Sequence, residues 1–267
     1  MNSETKRTVI AVAAAVVIVA VAYGGIIAYS GTSSPFYTVE SGSMSHTNGD
    51  RSQIGIIDTG DMVLARDPSK MSVTTYVEGH GSGYMRFGDY GDVIIYGRPS
   101  GTPVIHRTIL YVESNGDGTW NIPSLVDYTG IWTINDDPGD PDDAGALAGR
   151  LGFKYFGFSG EGSFTVNLDT LTPGSGYITK GDANDGADQS TMTSMNKLIG
   201  ADSIIAIAAH EIPWLGAIKL YVTGNNTGAI PSNTLPSLIA SFVLIFLSMI
   251  TVGLVYERFE KKGRKKE

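Results

Sequence analysis

The sequence predicts a mostly β domain of antiparallel strands, flanked by an N-terminal and a C-terminal transmembrane helix. Two long uncharged segments lie near the ends of the 267-residue chain, and eight short segments rich in Val, Ile, Tyr and Phe lie between them. Gly, Pro, Asp and Ser separate these short segments. Short β-branched and aromatic runs bounded by turn residues are typical of strands.

The first uncharged segment runs from Val9 to Tyr29 and contains only Ala, Val, Ile, Gly and Tyr. As a helix it extends about 31 Å, which is enough to cross the hydrocarbon core of a bilayer. A cleavable signal peptide is the alternative, with Lys6 and Arg7 as its basic region. Signal-peptide cores usually span about 7–15 residues, so the length favours a retained anchor over residues 1–30.

The second uncharged segment, Leu235 to Val255, precedes a basic tail at 257–267. A buried core helix is the alternative, but the length of the segment and the basic residues after it favour a second span over 229–256. Basic flanks stay in the cytoplasm, so we expect both termini there and the domain 31–228 outside. The expected localisation is therefore the cell membrane, with two spans and an extracytoplasmic domain.

Charge and cysteine content exclude several classes of function. The chain has 19 Lys and Arg and 27 Asp and Glu; the two ends hold eight and four of these, so 11 and 23 remain between them, a net charge of −12. Such an acidic domain is a poor nucleic-acid binder, and no nucleic-acid partner is expected. The absence of cysteine excludes disulfides, thiol nucleophiles and cysteine-based zinc sites.

The predicted strands follow one another without an internal repeat or a heptad pattern. They are Asp61–Ala65, Asp92–Tyr96, Pro103–Val112, Gly152–Phe158, Ser163–Leu168, Gly176–Thr179, Ser203–Ala208 and Leu215–Val222. Apart from the two spans, the sequence indicates only a short helical turn near Met192–Leu198.

Two polar stretches interrupt the predicted strands. Residues 67–89 contain several glycines, and residues 113–162, which we interpret as an insert, contain an acidic Pro/Gly run from Asp136 to Asp143. Such a run is usually a solvated loop. A calcium loop is the sharper alternative, but the run lacks the spacing and the terminal Glu of an EF-hand. We therefore expect neither a metal ion nor another cofactor.

Ser43 is the candidate nucleophile, within the segment Glu40-Ser41-Gly42-Ser43-Met44 that follows the first anchor. A serine hydroxyl is a weak nucleophile, because it needs a base within hydrogen-bond reach and a third group that orients the base. By itself, a serine in a Gly/Ser segment is usually only a turn residue. The assignment therefore depends on finding its partners.

The four histidines are the candidates for the base. His80 lies in a Gly-rich loop and His210 lies at a strand end, so neither is favoured. His106 lies inside a strand-like run and is favoured, because a strand holds a side chain in a defined position. His46, three residues after the serine, is the alternative.

The candidate third group lies in the segment 179–188, where Asp182, Asp185 and Asp188 occur within seven residues. A polar turn capped by Asp side chains is the simpler interpretation. The functional interpretation is that one of these carboxylates is buried against an imidazole and sets its tautomer.

Taken together, these motifs resemble signal peptidase I in its archaeal and endoplasmic-reticulum form. The matches occur in order between the two predicted spans and cover the core of the domain but not the polar stretches. They are Ser41-Gly42-Ser43-Met44, Thr59-Gly60-Asp61, Gly91-Asp92 followed by Ile105-His106-Arg107, Thr179-Lys180-Gly181-Asp182 with Asp188, and Ile212-Pro213 with Gly216. Each match alone is weak, but five matches in order are specific.

The resemblance implies a serine endopeptidase that cleaves N-terminal signal peptides from exported preproteins. It implies Ser43 as the nucleophile, His106 as the base where bacterial relatives have lysine, and Asp188 as the orienting group. Asp182 is then a second functional carboxylate and the alternative orienting residue, and the Ser41 hydroxyl is expected to support the oxyanion. The implied partners are signal peptides of secreted preproteins, membrane lipid and the protein-export machinery.

The sequence departs from the family pattern at three places. Many members have Pro at the position of His46, the acidic box reads Asp182-Ala183-Asn184-Asp185, and the long spacing after His106 creates the insert at 113–162. A non-enzymatic, membrane-anchored extracellular binding protein explains the anchors, the acidity and the β pattern equally well, but not the ordered motifs. Another membrane protease of the same clan, with a dedicated substrate, is a further alternative.

Overall fold

The computed structural model describes residues 2–47, 49–98, 101–128, 131–191 and 197–263. Within these residues five α-helices and 13 strands are present. The helices are α1 (Ser3–Ser30), α2 (Tyr76–Ser82), α3 (Asp188–Thr191), α4 (Ala217–Thr223) and α5 (Thr234–Gly263). The strands are β1 (Phe36–Thr38), β2 (Met62–Arg66), β3 (Met85–Arg86), β4 (Asp89–Tyr90), β5 (Val93–Tyr96), β6 (Val104–Ser114), β7 (Trp120–Asn121), β8 (Trp132–Ile134), β9 (Asp137–Pro138), β10 (Arg150–Phe156), β11 (Gly162–Asn167), β12 (Ser175–Lys180) and β13 (Ile204–Ile212).

The expectation of a mostly antiparallel β domain between two long apolar helices is confirmed. Helices α1 and α5 contain the segments Thr5–Ser30 and Thr234–Tyr256, which are long and apolar enough to cross a membrane and are almost entirely exposed. Asn2 caps the N-terminus of α1, because its side chain accepts a hydrogen bond from the backbone N–H of Thr5. The strands between the two helices pair only in the antiparallel sense within the described residues.

The largest sheet carries the candidate site. Its strand order is β1-β2-β13-β5-β6-β12, with β7 paired to the end of β6. Strand β5 is completely buried: Val93 and Ile95 pack into one hydrophobic cluster, while Ile94 and Tyr96 pack into another on the opposite face. This explains its uninterrupted apolar sequence, since a strand covered on both faces has no polar side.

A second sheet has the order β11-β10-β8-β9 and packs against the first through a core rich in aromatic residues. Its rings include Trp132, Phe153 and Phe164, of which the last two stack with centroids 5.0 Å apart. The residues predicted to form an insert supply β8, β9 and β10 of this sheet. They are a structured layer, and the sheet is completed by β11, which begins at Gly162 at the end of the predicted insert.

The structure corrects two sequence predictions. Seven of the eight predicted strands coincide with strands, but Leu215–Val222 forms the helix α4. Its buried residues are Ala217 and Leu220, spaced as on one face of a helix, and Gly224, at a φ of 71°, ends it. The expectation that the two spans are the only clear helices is also wrong, because α2 forms within a predicted polar stretch.

Helix α2 is defined by a capping box that the sequence analysis overlooked. The Thr75 hydroxyl accepts from the backbone N–H of Glu78, and the Glu78 carboxylate accepts from the backbone N–H of Thr75. This reciprocal pair satisfies two donors at the start of the helix. The turn predicted near Met192–Leu198 lies largely outside the described residues, which omit 192–196.

The carboxyl groups of Asp58, Asp61 and Glu211 lie close together where the loop before β2 meets the end of β13. Burial and, to a smaller extent, the charge of Asp61 together raise the pKa of Glu211 to about 8. Burial likewise raises the pKa of Asp61 to about 7, although the backbone N–H groups of Trp214 and Asp58 donate to it. At neutral pH this cluster therefore holds protons that the unfolded chain has released.

We expect Glu211→Gln to weaken the pH dependence of stability. The carboxyl has an ordinary pKa of 4.5 and a pKa of about 8 in the folded state. Between these values the folded state binds the proton more tightly, so its contribution to stability is complete below about pH 4.5 and is lost as the pH rises through about 8. Thermal unfolding measured across this range should show the melting temperature of the wild type falling a few °C more than that of the variant. Parallel curves for the two proteins would contradict the prediction.

Candidate active site

The candidate nucleophile lies in a tight turn between β1 and β2. The backbone N–H of Ser45 donates to the carbonyl oxygen of Gly42 at 3.0 Å, which closes the turn around Ser43. The carbonyl oxygen of Ser43 accepts from the backbone N–H of Ala183 at 2.9 Å. The turn is therefore fastened to the acidic box, 140 residues later in the chain.

Strand β6 places His106 beside this turn. His106 lies opposite Ile94 in the β5–β6 ladder, and its side chain is only 4% exposed. Its Nε2 atom is 3.0 Å from the Oγ atom of Ser43. Because pairing with β5 fixes the backbone of β6 at this residue, the position of the imidazole is well defined.

Asp188, at the start of α3, contacts the other side of the imidazole. Its Oδ2 atom accepts three hydrogen bonds, from His106 Nδ1 at 2.7 Å, the Tyr96 hydroxyl at 2.6 Å and the Thr179 hydroxyl at 2.7 Å. Burial favours the neutral carboxyl, but the hydrogen bonds from His106, Tyr96 and Thr179 outweigh it and hold the pKa of Asp188 below its ordinary value.

These contacts define the hydrogen-bonding pattern of the histidine. An ionised carboxylate can only accept, so the Nδ1 atom of His106 carries the proton that is donated to Asp188. The Nε2 atom is then free to accept the proton of the Ser43 hydroxyl. The three side chains form a continuous chain of hydrogen bonds from a serine to a buried carboxylate, which is the arrangement that activates a serine for attack on a carbonyl group.

Asp182 lies in a different environment from Asp188. Its two oxygens accept from Arg107 Nε at 2.8 Å and Arg107 Nη2 at 2.6 Å, and its Oδ2 atom is 3.0 Å from His46 Nε2. Burial raises its pKa, but Arg107 and His46 together lower it to about 2. Asp182 therefore pairs with Arg107 and His46, and Asp188 is the carboxylate that contacts His106.

His46, the alternative base, is bonded to Asp182 rather than to Ser43. Its Nε2 atom contacts Asp182, and its ring stacks on Phe158 at a centroid distance of 4.0 Å. The other two histidines also have aromatic partners: His80 lies between Tyr90 and Tyr128, and His210 bonds to the hydroxyl of Tyr29. Of the four, His106 is the histidine with a hydrogen bond to Ser43.

The remaining members of the expected site surround the serine. The Ser41 hydroxyl lies 3.3 Å from the Ser43 hydroxyl. Lys180 donates to the carbonyl oxygens of Gly181 and Asp182 and so supports the box from beneath. Its burial lowers its pKa, although the charges of Asp182, Asp89, Asp185 and Asp188 oppose that shift.

Tyr96 is a member of the site that was not predicted from the sequence. This residue ends the apolar strand β5, so its phenol ring is fully buried, and its hydroxyl donates to Asp188. A buried tyrosine hydroxyl requires a hydrogen-bond partner. A Tyr at the end of an otherwise aliphatic strand was therefore a signal that could have been recognised.

A cavity of about 660 Å³ opens beside the triad. Residues 36–41 and 102–106 line it, so both edge strand β1 and the start of β6 contribute to its wall. Its apolar lining includes Tyr37, Val39, Met44, Met62, Val104 and Ile105, and Ser43 and His106 also line it. A ligand in this cavity has the serine and the histidine within reach.

The acidic run predicted as a solvated loop supplies strand β9 of the second sheet and a short turn after it. Asp137, Asp142 and Asp143 are exposed, and Asp136 forms an exposed ion pair with Arg150. Among the described residues, no group of three or more His, Asp or Glu side chains has the arrangement of a metal site. The acidic side chains therefore supply surface charge.

Comparison of the chain with protein-family models, curated proteins and solved structures finds no match in any of the three.

We expect Gly181→Ala to disturb the site directly. A Cβ atom at this position would lie 2.6 Å from the carbonyl oxygen of Ser43 and 2.9 Å from His106 Nε2, closer than such atoms pack. The cost of accommodating it should be about 1–3 kcal/mol in the free energy of unfolding, measured by thermal or denaturant unfolding. Gly97→Ala is the control, because its Cβ would meet nothing closer than 3.9 Å. Equal stability of the two variants would show that the site is less tightly packed.

Proposed function

We propose that this protein is a membrane-anchored serine endopeptidase that removes N-terminal signal peptides from exported preproteins. The observation that carries the proposal is the hydrogen-bonded chain from Ser43 through His106 to Asp188, located beside an open, largely apolar cavity. The ordered motifs that resemble signal peptidase I contain all three of these residues. A non-enzymatic binding protein has no requirement for such a chain.

In the proposed mechanism, His106 takes the proton of Ser43 as the hydroxyl oxygen attacks the scissile carbonyl carbon. Asp188 stabilises the imidazolium that forms and keeps the ring in position. The backbone N–H of Ser43 and the hydroxyl of Ser41 donate to the oxyanion, and one such donor is typically worth about 2.7–4 kcal/mol of the barrier. His106 then protonates the leaving amine, and it activates the water that hydrolyses the acyl-enzyme.

The strand edges at the cavity suit an extended peptide. Strand β12 pairs with β6 only as far as Arg107, so the segment Val104–His106 has β5 on one side and, among the described residues, no strand of this sheet on the other. Strand β1 is likewise an edge strand. Edges of this kind bind a peptide through main-chain hydrogen bonds, while the lining between them selects side chains.

Two contacts support a membrane close to the site. The end of α1 is fastened to the end of β2, because the Ser30 hydroxyl donates to the carbonyl oxygen of Ala65. The start of α5 lies beside Gly60, just before β2, where Thr234 is 3.2 Å from the position of a Cβ atom. Both proposed spans therefore leave the domain next to the same strand, and β2 is paired with β1, which lines the cavity.

Helix α4 supports the same placement. Its first residue, Ala217, packs beside the same Gly60 as the start of α5. Ile218, Tyr221 and Val222 are exposed, the last of them at 82%. Exposed apolar side chains on a short helix next to a span favour the membrane interface as their environment. Lys219, on the same helix, lines the cavity, so the site opens where a membrane-spanning signal peptide presents its cleavage point.

The proposal predicts that a detergent-solubilised or bilayer-embedded enzyme cleaves a preprotein at its signal junction. Ser43→Ala and His106→Ala should each lower the rate by roughly 10⁴–10⁶-fold, and Asp188→Ala by roughly 10⁴-fold, as in other serine triads. Asp185→Ala, in the same acidic box but exposed, is the matched control and should retain activity. Cleavage can be followed by gel mobility and by N-terminal sequencing of the product.

Two outcomes would count against the proposal. If Ser43→Ala cleaves at the wild-type rate, the serine is not the nucleophile. If the wild type leaves every preprotein intact in a suitable bilayer, a non-enzymatic binding role for the exposed domain is favoured.

A further inference from the structure

The ring of His46 is held by the second sheet. Phe158, in the connection between β10 and β11, stacks on the imidazole with centroids 4.0 Å apart and an interplanar angle of 10°. The imidazole is also bonded to Asp182, and the side chain of His46 is only 8% exposed. A residue three positions after the nucleophile is therefore fixed by a layer that contributes no member of the triad.

The turn that carries Ser43 is fastened to the acidic box at two points. The carbonyl oxygen of Ser43 accepts from the backbone N–H of Ala183, and His46 bonds to the carboxylate of the adjacent Asp182. Asp182 is itself held by two hydrogen bonds from Arg107. The segment around Ser43 is rich in Ser and Gly, which leave the backbone adaptable. These two attachments, together with the burial of the adjacent Met44 in the core, restrain the position of the hydroxyl.

The hairpin that carries Phe158 is firmly anchored. The backbone N–H of Gly157 donates to the Tyr76 hydroxyl at 3.0 Å, and the ring of Phe156 packs on that of Tyr76 at 4.2 Å. The Lys180 ammonium lies 5.7 Å from the centroid of Phe156. Phe158 itself remains 42% exposed, and its ring stacks on the imidazole of His46.

We propose that Phe158 and His46 are positioning residues for the nucleophile. Phe158 covers the imidazole and shields its bond to Asp182 from water, and this holds the turn so that Ser43 stays within hydrogen-bond reach of His106. A hydrogen bond shielded from water is stronger than an exposed one. The inference rests on the proposed serine mechanism, and it assigns to the second sheet a role in keeping the serine reactive.

The test measures how fast an activated ester, p-nitrophenyl acetate, acetylates Ser43 in the full-length protein. The serine oxygen displaces p-nitrophenolate, its proton passes to His106, and the acetyl group is located by mass spectrometry. We expect Phe158→Ala and His46→Ala each to slow acetylation by roughly 10- to 100-fold, since a displacement of about 1 Å in a reacting group can cost that much. The double variant should be no slower than the slower single variant, because both changes weaken the same attachment, the bond between His46 and Asp182.

Two further variants separate positioning from general destabilisation. Phe158→Trp keeps an aromatic face and should restore the rate, whereas a purely structural loss would appear only in the melting temperature. Tyr155→Ala removes an exposed ring from the same hairpin and should leave the rate unchanged. With preprotein as substrate, the effect of Phe158→Ala should appear in kcat with little change in KM.

Independent, multiplicative effects of the two alanine variants would overturn the inference, as would a wild-type acetylation rate in Phe158→Ala. The test does not depend on the substrate assignment. If Ser43 is acetylated but no preprotein is cleaved, the proposed function fails while the positioning role is still measured.

Discussion

The buried ion pair between Arg107 and Asp182 organises this part of the molecule. Both side chains are at most 4% exposed, and the guanidinium donates two hydrogen bonds to the carboxylate. Its Nη1 atom also donates to the backbone carbonyl oxygens of Arg86, Tyr90 and Gly91 in and after the β3–β4 hairpin. Removing one partner of such a pair typically costs about 3–5 kcal/mol, because the other charge stays buried. Strand β6, the hairpin and the acidic box are thus joined at one residue.

The site follows from the alternation of side chains along β6. Successive residues of a strand point to opposite faces of the sheet, so His106 and Arg107 act on different sides although they are adjacent. His106 faces Ser43 and Asp188, and Arg107 faces the hairpin and Asp182. Asp182 and Asp188 are six residues apart in the segment 179–188. Asp188 accepts a hydrogen bond from His106, and Asp182 accepts from Arg107. The dipeptide His106-Arg107 therefore connects the hydrogen-bonded chain of Ser43 and Asp188 with the β3–β4 hairpin and Asp182.

The second sheet modifies this arrangement without joining the triad. It comes from residues that the sequence analysis treated as an insert, and its hairpin reaches His46, one of the positions at which the chain departs from the signal peptidase pattern. Phe158, in the predicted insert, and His46, where many members of that family have Pro, are therefore in contact. The stacking of Phe158 and the carboxylate of Asp182 together restrain His46, whereas a proline restrains the backbone covalently.

Much of the fold was predictable from the sequence because it depends on local patterns. Seven strands were recognised from β-branched and aromatic runs between turn residues, and the two long helices from uninterrupted apolar composition. Helix α4 was misassigned because its seven residues are also rich in β-strand formers. Its helical spacing is evident only from the burial of two of its own residues, Ala217 and Leu220. Strands β8 and β9 of the second sheet were missed because they are only three and two residues long, and the sheet is stabilised by aromatic contacts between distant segments.

By itself, the sequence determined the set of groups that the site could use: a serine-rich segment after the first long apolar helix, four histidines, three aspartates between residues 182 and 188, and no cysteine. Residue types and spacing were sufficient for this, because they limit which chemistry is available. Only the tertiary structure decided which groups meet. It placed His106 on Ser43 and His46 on Asp182, and it separated Asp188 from Asp182. These pairings join residues between 63 and 136 positions apart, so they depend on sheet register and buried hydrogen bonds, which no local pattern encodes.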